Sequence, residues 1–502
     1  MHVFHFSIFF LFLNTVLFGI TEKDSLLNSG KEFSYQFEFQ KAHNLFEEVN
    51  NLNPDSPFAY HYLSQNYLWF YLGSKDSIYK NLYKKYSEEG FAKAERLYEQ
   101  DENNAQLNNL IGQQYLLKSV MHATEGKSLD AFWAIKSSVS YFEDAVELDG
   151  KYYDPYLGLG TIKYALSFIP GFLGWAVSIT GLSGDREEGL RLVKLAYDQG
   201  KSSKTEGAYH LSKIYTEYNA EYDSANIYLD QLIKEYPKNI LFLYQYSLLM
   251  IDMKKLVEAE ESLAKIIEID DKKFNQTNSF AIFLRAEIAF KQNEFNKALL
   301  LYDEFLLETK SIDYTGLAHL KIGLCYEMIK NSLLAKKYFI LARNGNLDIP
   351  EDLNAKNKSY YFHDKILTKT DRNLIIMENY FESGKFRMSL NTVAQIDSIK
   401  LDFESNLKFR IIEAKSYLFL GEINNANEAI NHFQYEHKFN SSYHKAEYFL
   451  ILAEIKFAQE KYNLSQEHLN SAFENCSDSD NKLMRRLVRL KSKLRAKSSI
   501  KY

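Results

Sequence analysis

Small and apolar residues recur along the second half of the chain with one fixed spacing. A small or apolar residue is followed twelve positions later by a second small residue, and each lies among apolar residues at helical period. This spacing predicts pairs of amphipathic helices that cross where small side chains let their axes approach. The residues that mark it in six successive units are Ser247 and Ala259, Ala286 and Ala298, Gly323 and Ala335, Met377 and Ser389, Ala414 and Ala426, and Ala453 and Ser465.

Aromatic residues occupy positions between these pairs, where they would fill the groove beside each crossing. They are Tyr326, Tyr380, Phe386, Tyr417 and Tyr462. With these residues the chain resembles the tetratricopeptide repeat family, whose units are two helices over about 34 residues. The resemblance implies an all-α, TPR-like α-α solenoid, a right-handed superhelix of about eleven helix hairpins that binds polypeptides on its concave side.

Paired small residues also occur in the first half of the chain, but they lie farther apart in sequence. The first and second small residues lie 30, 26 and 29 positions apart in three consecutive units: Ser64 and Ala94, Gly112 and Ser138, and Gly160 and Gly189. We therefore expect extended hairpins over residues 35–200 and regular units over 201–478. The first two inserts are polar and helical in period, which favours taller helices over loops.

The third insert, residues 164–184, is uncharged and contains Pro170. Three interpretations are open: a buried segment that packs back into the solenoid, a partner or lipid contact, and a transmembrane helix. Pro170 and Gly171 disfavour the last, because they leave about a dozen uninterrupted residues. The candidate contact residues are Phe168, Phe172, Leu173, Trp175 and Ile179.

A new helix is predicted directly after this insert, with Asp185 or Ser183 as its N-cap. The segment SFIPGFLGW, followed by GLSGDREEGL, also resembles a segment of tetratricopeptide proteins of the inclusion-body clearance factor type. That local resemblance implies a role in handling aggregated protein or lipid at a membrane.

The two ends of the chain differ from the repeats. Residues 1–21 contain an apolar run of signal-peptide length followed by acidic and polar residues, so we expect export across a membrane, with an uncleaved N-terminal anchor as the alternative. Residues 479–502 form a basic tail with leucines at helical spacing. A capping helix is one interpretation and binding to an anionic membrane or acidic partner the other. The candidate residues are Arg485, Arg486, Arg489, Lys491, Lys493 and Arg495.

Composition and motifs narrow the function further. The net charge of −6 disfavours nucleic-acid binding. Cys325 is expected to be a buried apolar residue, and Cys476 lies in another unit. His432, His437 and His444 with Glu436 lack a metal-binding spacing, so we predict no metal and no cofactor. Phosphate-loop, nucleophile-elbow and CxxC motifs are absent from the sequence, which argues against an enzyme.

These observations predict an exported, extracytoplasmic scaffold of the cell envelope that binds a protein or peptide partner in its concave groove without catalysis. The alternative is a membrane-surface factor that uses the 164–184 insert and the basic tail for peripheral membrane contact. Two such anchors would be needed, because single anchors are marginal.

Overall fold

The computed structural model describes residues 23–168, 174–433, 439, 441–477 and 481–499. This part of the chain is helical throughout and contains no β-strand, which confirms the all-α fold class. The predicted signal peptide, residues 1–21, lies outside the described residues. The first twelve helices are α1 (23–35), α2 (Phe39–Leu52), α3 (Phe58–Ser74), α4 (Ser77–Tyr98), α5 (Ala105–Thr124), α6 (Ser128–Leu148), α7 (Pro155–Leu166), α8 (Gly174–Thr180), α9 (Arg186–Gln199), α10 (Lys204–Lys213), α11 (Tyr222–Glu235) and α12 (Ile240–Asp252).

The remaining helices continue the alternation towards the C-terminus. They are α13 (Leu256–Ile269), α14 (Asn275–Lys291), α15 (Phe295–Glu308), α16 (Thr315–Met328), α17 (Ser332–Leu341), α18 (Pro350–Asp364), α19 (Lys369–Glu382), α20 (Phe386–Asn391), α21 (Phe403–Phe419), α22 (Ile423–Asn431), α23 (Ser442–Ala458), α24 (Tyr462–Asn475) and α25 (Asn481–Ser499). In the described residues they form eleven successive pairs. Helices α8, α18 and α25 stand outside this pairing.

The chain divides into two compact units. Unit 1 comprises residues 1–212, 227–243 and 269–275, and unit 2 comprises residues 213–226, 244–268 and 276–502.

The predicted small residues lie at the helix crossings. Ala286, Ala298 and Ala335 are fully buried. Where serine replaces alanine on a second helix, its hydroxyl donates a hydrogen bond to the carbonyl of the paired first-helix residue. Ser389 Oγ lies 2.9 Å from the Met377 carbonyl oxygen, and Ser465 Oγ lies 2.8 Å from that of Ala453. Serine therefore keeps the close approach and satisfies its own polar group.

The turns of the six regular hairpins share one backbone conformation. The residue seven positions after the first-helix residue of each pair adopts a left-handed conformation, and the amide after it bonds the carbonyl five residues earlier, which ends the first helix. Glycine supplies this conformation at Gly384 and Gly421. The other four turns place side-chain-bearing residues there: Lys254, Asn293, Lys330 and Glu460.

Two hairpins outside the six regular units also end their first helix at a left-handed residue. Gly30 on α1 and Ala42 on α2 are twelve apart with Phe37 left-handed between them, so the first hairpin begins at residue 23 and not at 35. In the fifth hairpin a π-helical turn over Ile214–Tyr218 adds one residue before left-handed Ala220. The extra residue hides this hairpin from a search for fixed spacing.

The lengthened units differ from one another. Helices α4 and α6 have 22 and 21 residues, compared with 14 in α13 and α15, so the first two inserts lengthen helices. In the third, α7 and α9 cross at Gly160 and Gly189. A Cβ atom on Gly160 would lie 2.7 Å from the Val193 nitrogen, so only glycine permits this approach. The insert then carries the short helix α8.

We expect the left-handed turns to be testable by exchange of glycine. Replacing exposed Glu460 by glycine (Glu460→Gly) removes the clash of Cβ with the backbone and should stabilise the protein by roughly 0.5–1 kcal/mol. The matched reverse change, Gly421→Ala, should destabilise by a similar amount, because nothing lies within 4 Å of the added Cβ and only the backbone conformation penalises it. Thermal melting of both variants decides the point. Equal melting temperatures for both variants would contradict it.

Candidate functional site

Charged side chains on the first helices of successive hairpins lie side by side within unit 2. In four hairpins the residue directly after the first-helix member of the pair is charged: Glu287, Glu378, Lys415 and Glu454. Each of these four side chains forms an ion pair with a residue of another helix. We call the set formed by Glu287, Lys321, Lys358, Glu378, Lys408, Lys415, Glu447, Glu454 and Arg486 the inner charge row.

The row begins between α14 and α16. Lys321 Nζ lies 3.4 Å from Glu287 Oε2, and the Tyr302 hydroxyl donates a hydrogen bond to Glu287 Oε1. Burial disfavours the charged form of Glu287, but the Lys321 charge and the hydrogen bond outweigh it and lower the pKa of Glu287. Burial and the Glu287 charge together raise the pKa of Tyr302 well above its ordinary value. This carboxylate is therefore charged and held in place.

The middle of the row joins α19 and α21. Lys408 Nζ donates a hydrogen bond of 2.6 Å to Glu378 Oε2. Both side chains keep solvent contact, with 47% and 36% of their surface exposed. Desolvation opposes ionisation of Glu378, yet the Lys408 charge lowers the pKa of this carboxyl below its ordinary value.

The row ends between α21, α23 and α25. Arg486 donates a hydrogen bond to each of the Glu454 carboxylate oxygens at 2.9 Å and lies 3.8 Å from Glu447. Lys415 lies 3.6 Å from the same Glu447. Desolvation and the Arg486 charge lower the pKa of Lys415. A two-oxygen pair of this geometry fixes orientation as well as charge.

Helix α25 contains the basic residues predicted as a contact candidate. Leu483, Leu487, Leu490 and Leu494 are buried against α23 and α24. Arg485 lies 3.7 Å from Asp252, and Arg486 belongs to the inner charge row. Arg489 lies over the Tyr222 ring at 5.2 Å and Lys491 over the Phe473 ring at 5.3 Å, whereas Lys493 and Arg495 are exposed. The structure thus places the leucines in a packed interface and most of the cations against unit 2.

The apolar insert is described in part. Phe168 is half-buried, and the Arg186 guanidinium lies over its ring at 3.8 Å. Ile179 is exposed. Phe172 and Leu173 lie outside the described residues, as does the side chain of Trp175. Val177 and Leu182 pack on an apolar cluster that includes Phe132 and Leu192. Of the five contact candidates, the structure therefore describes the side chains of Phe168 and Ile179.

The turn after the insert follows the capping prediction. The Asp185 side chain accepts a hydrogen bond of 3.0 Å from the Glu188 amide at the start of α9. Asp185 is therefore the N-cap of α9, and it is one of the two residues predicted for this position.

Other side chains with chemical potential lie apart from the inner charge row. Burial raises the pKa of the Cys325 thiol far above its ordinary value, which keeps it protonated. Among the residues that the structure describes, no three His, Cys, Asp or Glu side chains are grouped to hold a metal. His437 and Glu436 lie outside those residues. No described helix is both long and apolar enough to cross a membrane.

Unit 1 has a polar interior of its own, which closes around α1. Tyr35 and Gln65 donate hydrogen bonds of 2.8 and 3.0 Å to Glu206 on α10, and Lys31 donates one to the Ser202 carbonyl. Burial lowers the pKa of neighbouring His61 to about 4, so this imidazole is neutral at pH 7. Because Tyr35 and His61 are buried whereas Lys408 and Glu378 keep solvent contact, the unit 2 row is the stronger candidate site.

Helix α18 borders the row and is fixed by a buried carboxylate. Asp352 accepts hydrogen bonds of 2.8 Å from the Leu317 and Asn346 amides. A Cβ on Gly345 would lie 2.6 Å from the Asp352 carboxyl carbon, so glycine makes room for it. Asp352 thereby joins α18 to the start of α16.

The spacing of small residues does not predict the inner charge row, because the row depends on which charged side chains of different helices come together. The sequence does contain a pattern that indicates the row: in four of the six units, a charged residue directly follows the small or apolar first-helix residue. Helix α18 was also missed, because its residues belong to no pair.

We expect Asp352→Asn to destabilise unit 2, because an amide nitrogen cannot accept the hydrogen bond that one carboxylate oxygen accepts. One buried amide left unpaired costs about 1–3 kcal/mol. Thermal melting should show the loss, and hydrogen exchange should speed up at the Leu317 or Asn346 amide. The neighbouring exposed change Glu351→Gln should leave both unaltered. Slow exchange at both amides in Asp352→Asn would show that the carboxylate does not hold α18.

The lowered pKa of Glu378 gives a pH dependence of stability. Its folded-state pKa is below the unfolded value, so its stabilisation is present above the unfolded pKa, near 4.3, and is lost as the pH falls through the folded pKa. The variant Glu378→Gln has no ionisable group at this position, so it lacks this pH-dependent stabilisation at every pH. The melting-temperature difference between wild type and Glu378→Gln should therefore shrink as the pH falls below about 4.3. A pH-independent difference would refute this assignment.

Comparisons with known proteins agree with the sequence resemblances. Residues 155–313, from the start of α7 to the loop before α16, match the family model for Iml2/Tetratricopeptide repeat protein 39. This range contains the insert and the Ser-Gly-Asp-Arg run. No curated protein sequence matches the chain.

Solved structures of helical-repeat proteins also match. A tetratricopeptide repeat protein from Parabacteroides merdae is 18% identical over 58% of this chain and 99% of its own, with a TM-score of 0.26. Yeast Tom70 is 13% identical over 89% of this chain and 96% of its own, with a TM-score of 0.32. Such low scores carry no argument about function. Over residues 155–313, the chain is thus similar to the Iml2/Tetratricopeptide repeat protein 39 family.

Proposed function

We propose that this protein is an exported scaffold that binds a polypeptide partner along the inner charge row of unit 2 and performs no catalysis. The observation that carries the proposal is the row itself. Successive first helices present charged side chains that are ion-paired and ordered, yet partly open to solvent, as Glu378 and Lys408 are. Ordered charges spaced along stacked helices suit recognition of an extended chain.

The chemistry of the row favours binding over bond-making. Glu287, Glu378 and Glu447 have lowered pKa values because cations face them, so these three carboxyl groups are poor proton donors near pH 7. Glu447, for example, is half-buried and flanked by Lys415 and Arg486. A role in positioning a partner needs only the fixed charges.

Export and an extracytoplasmic location belong to the same proposal and rest on the apolar run within residues 1–21. The membrane-surface alternative draws less support from the geometry. The leucines of α25 are buried, and Arg485 and Arg486 face carboxylates of unit 2, so neither the apolar face nor these two arginines are available to a membrane. Handling of aggregated protein, which the clearance-factor resemblance implies, would be one use of a scaffold.

Affinity capture of the tagged full-length protein from its native host tests the proposal. Lys408→Glu reverses a partly exposed charge in the row and places it beside Glu378, so it should reduce recovery of a specific co-purified protein at least tenfold. Lys337→Glu makes the same charge change on the exposed face of α17 and should leave recovery unaltered. Melting curves check that both variants are folded. Equal recovery with both, or loss only with Lys337→Glu, would contradict binding at the row.

A further inference from the structure

Helix α15, the second helix of its hairpin, has an exposed face in which two leucines flank an acidic pair. Leu300, Asp303, Glu304 and Leu307 are separated by three, one and three residues and therefore share one side of the helix. At about 100° per residue, this side is opposite the fully buried crossing residue Ala298. All four side chains are exposed, Leu307 to 85%.

Helix α17, the second helix of the next hairpin, repeats this pattern with the opposite charge. Leu333, Lys336, Lys337 and Ile340 have the same spacing and are also exposed, Leu333 to 83%. In the part of the chain that the structure describes, the charged side chains of both faces form no ion pair and no hydrogen bond. Each face thus holds two unpaired charges between two exposed apolar side chains.

The two faces lie side by side on unit 2. Leu306 of α15 and Tyr338 of α17 pack against one apolar cluster, which contains buried Phe305 and Phe339. Burial and the Asp303 charge raise the pKa of Tyr338, so the acidic face of α15 lies close enough to act on α17. We call the eight residues of the two faces the α15–α17 patch. Adjacent exposed aliphatic side chains of this kind mark an interaction surface.

We propose that the α15–α17 patch binds the same patch on a second copy of this chain and forms a two-fold symmetric dimer. In a two-fold interface a surface meets itself, so α15 of one copy can lie over α17 of the other. The acidic pair then faces the basic pair at two equivalent places, and the aliphatic side chains flank both.

The charge pattern identifies the occupant as a second copy. The patch already carries the complement of its own charges, two carboxylates on one helix and two ammonium groups on the other. An anionic membrane would be attracted by Lys336 and Lys337 but repelled by Asp303 and Glu304 in the same patch. The arrangement of both signs between aliphatic residues therefore fits another copy of this chain better than a lipid surface.

The size of the patch sets the strength of the dimer. Helices α15 and α17 have 14 and 10 residues, which corresponds to about 21 and 15 Å. Neighbouring helices lie about 10 Å apart, so the face is small beside a standard interface of about 800 Å² per partner. We therefore expect a dissociation constant on the order of 10 µM.

This dimer is independent of the proposed binding of a partner. The inner charge row has no member on α15 or α17, so a change in the α15–α17 patch leaves the row intact. Lys337→Glu should accordingly weaken the dimer without altering capture of the partner. A cross-link formed from position 337 would join two copies of this chain, and its mass distinguishes it from an adduct with a partner polypeptide.

Sedimentation velocity of the purified full-length protein at about 1 to 100 µM tests the inference, because mass action makes dimerisation depend on concentration. Wild type should shift from monomer to dimer over this range. The double variant Lys336→Glu with Lys337→Glu should raise the dissociation constant at least tenfold, and so should Asp303→Lys with Glu304→Lys. An equimolar mixture of the two double variants should dimerise about as well as wild type, because every contact again joins opposite charges.

A matched control makes the same change of charge on the neighbouring hairpin. Lys255→Glu with Lys265→Glu reverses two exposed lysines at and just before α13 and should dimerise as wild type does. Melting curves check that every variant is folded. The recovery of dimer in the mixture also shows that the double variants are folded.

Four results would overturn the inference. They are a wild type that is monomeric at every concentration, an equal weakening in the α13 control, a mixture that dimerises no better than either double variant alone, and a monomeric wild type that sediments with anionic lipid vesicles. The last would assign the patch to a membrane. Because capture of a partner is measured separately with Lys408→Glu, failure of the dimer leaves the scaffold proposal standing.

Discussion

The close crossing of paired helices at small residues is the constraint on which the rest of the structure depends. Alanine, glycine or serine at the crossing lets two helices approach closely, and the second-helix position of all six regular pairs is alanine or serine even where the first-helix position is Met377. Serine satisfies its hydroxyl by donating to the opposite backbone, as Ser389 does to Met377. The left-handed residue seven positions after the first-helix residue then ends one helix and sets the direction in which the next begins.

This constraint also decides where charge can lie. Once the small residue faces its partner helix, its successor is rotated by about 100° about the helix axis, and in four hairpins it is a charged residue that pairs with another helix. Glu287, Glu378, Lys415 and Glu454 all follow from that rotation. Isolated, such groups would cost several kcal/mol to desolvate, and opposite charges from neighbouring hairpins offset this. The inner charge row is therefore a consequence of hairpin geometry combined with opposite charges on neighbouring helices.

The fold was largely predictable from the sequence, and the candidate site was not. Spacing identified the hairpins wherever it was regular, and it failed where one π-helical residue was added at Ile214–Tyr218. Helix α18 could not be found by spacing at all, since buried Asp352 and the room left by Gly345 hold it in place. Which charges pair depends on contacts between helices 30 or more residues apart, such as Lys408 with Glu378, and periodicity within one helix does not report them.

The central claim is that a partner lies along the inner side of unit 2, beside α18. Site-specific photo-cross-linking in the native host tests it most directly. A photoreactive amino acid would replace Asn354, which is exposed one helical turn before Lys358, and in a matched protein it would replace exposed Lys337 on α17. The expected result is a covalent adduct with one partner polypeptide from position 354 and none from position 337. Adducts from position 337 alone, or from neither position, would contradict the account.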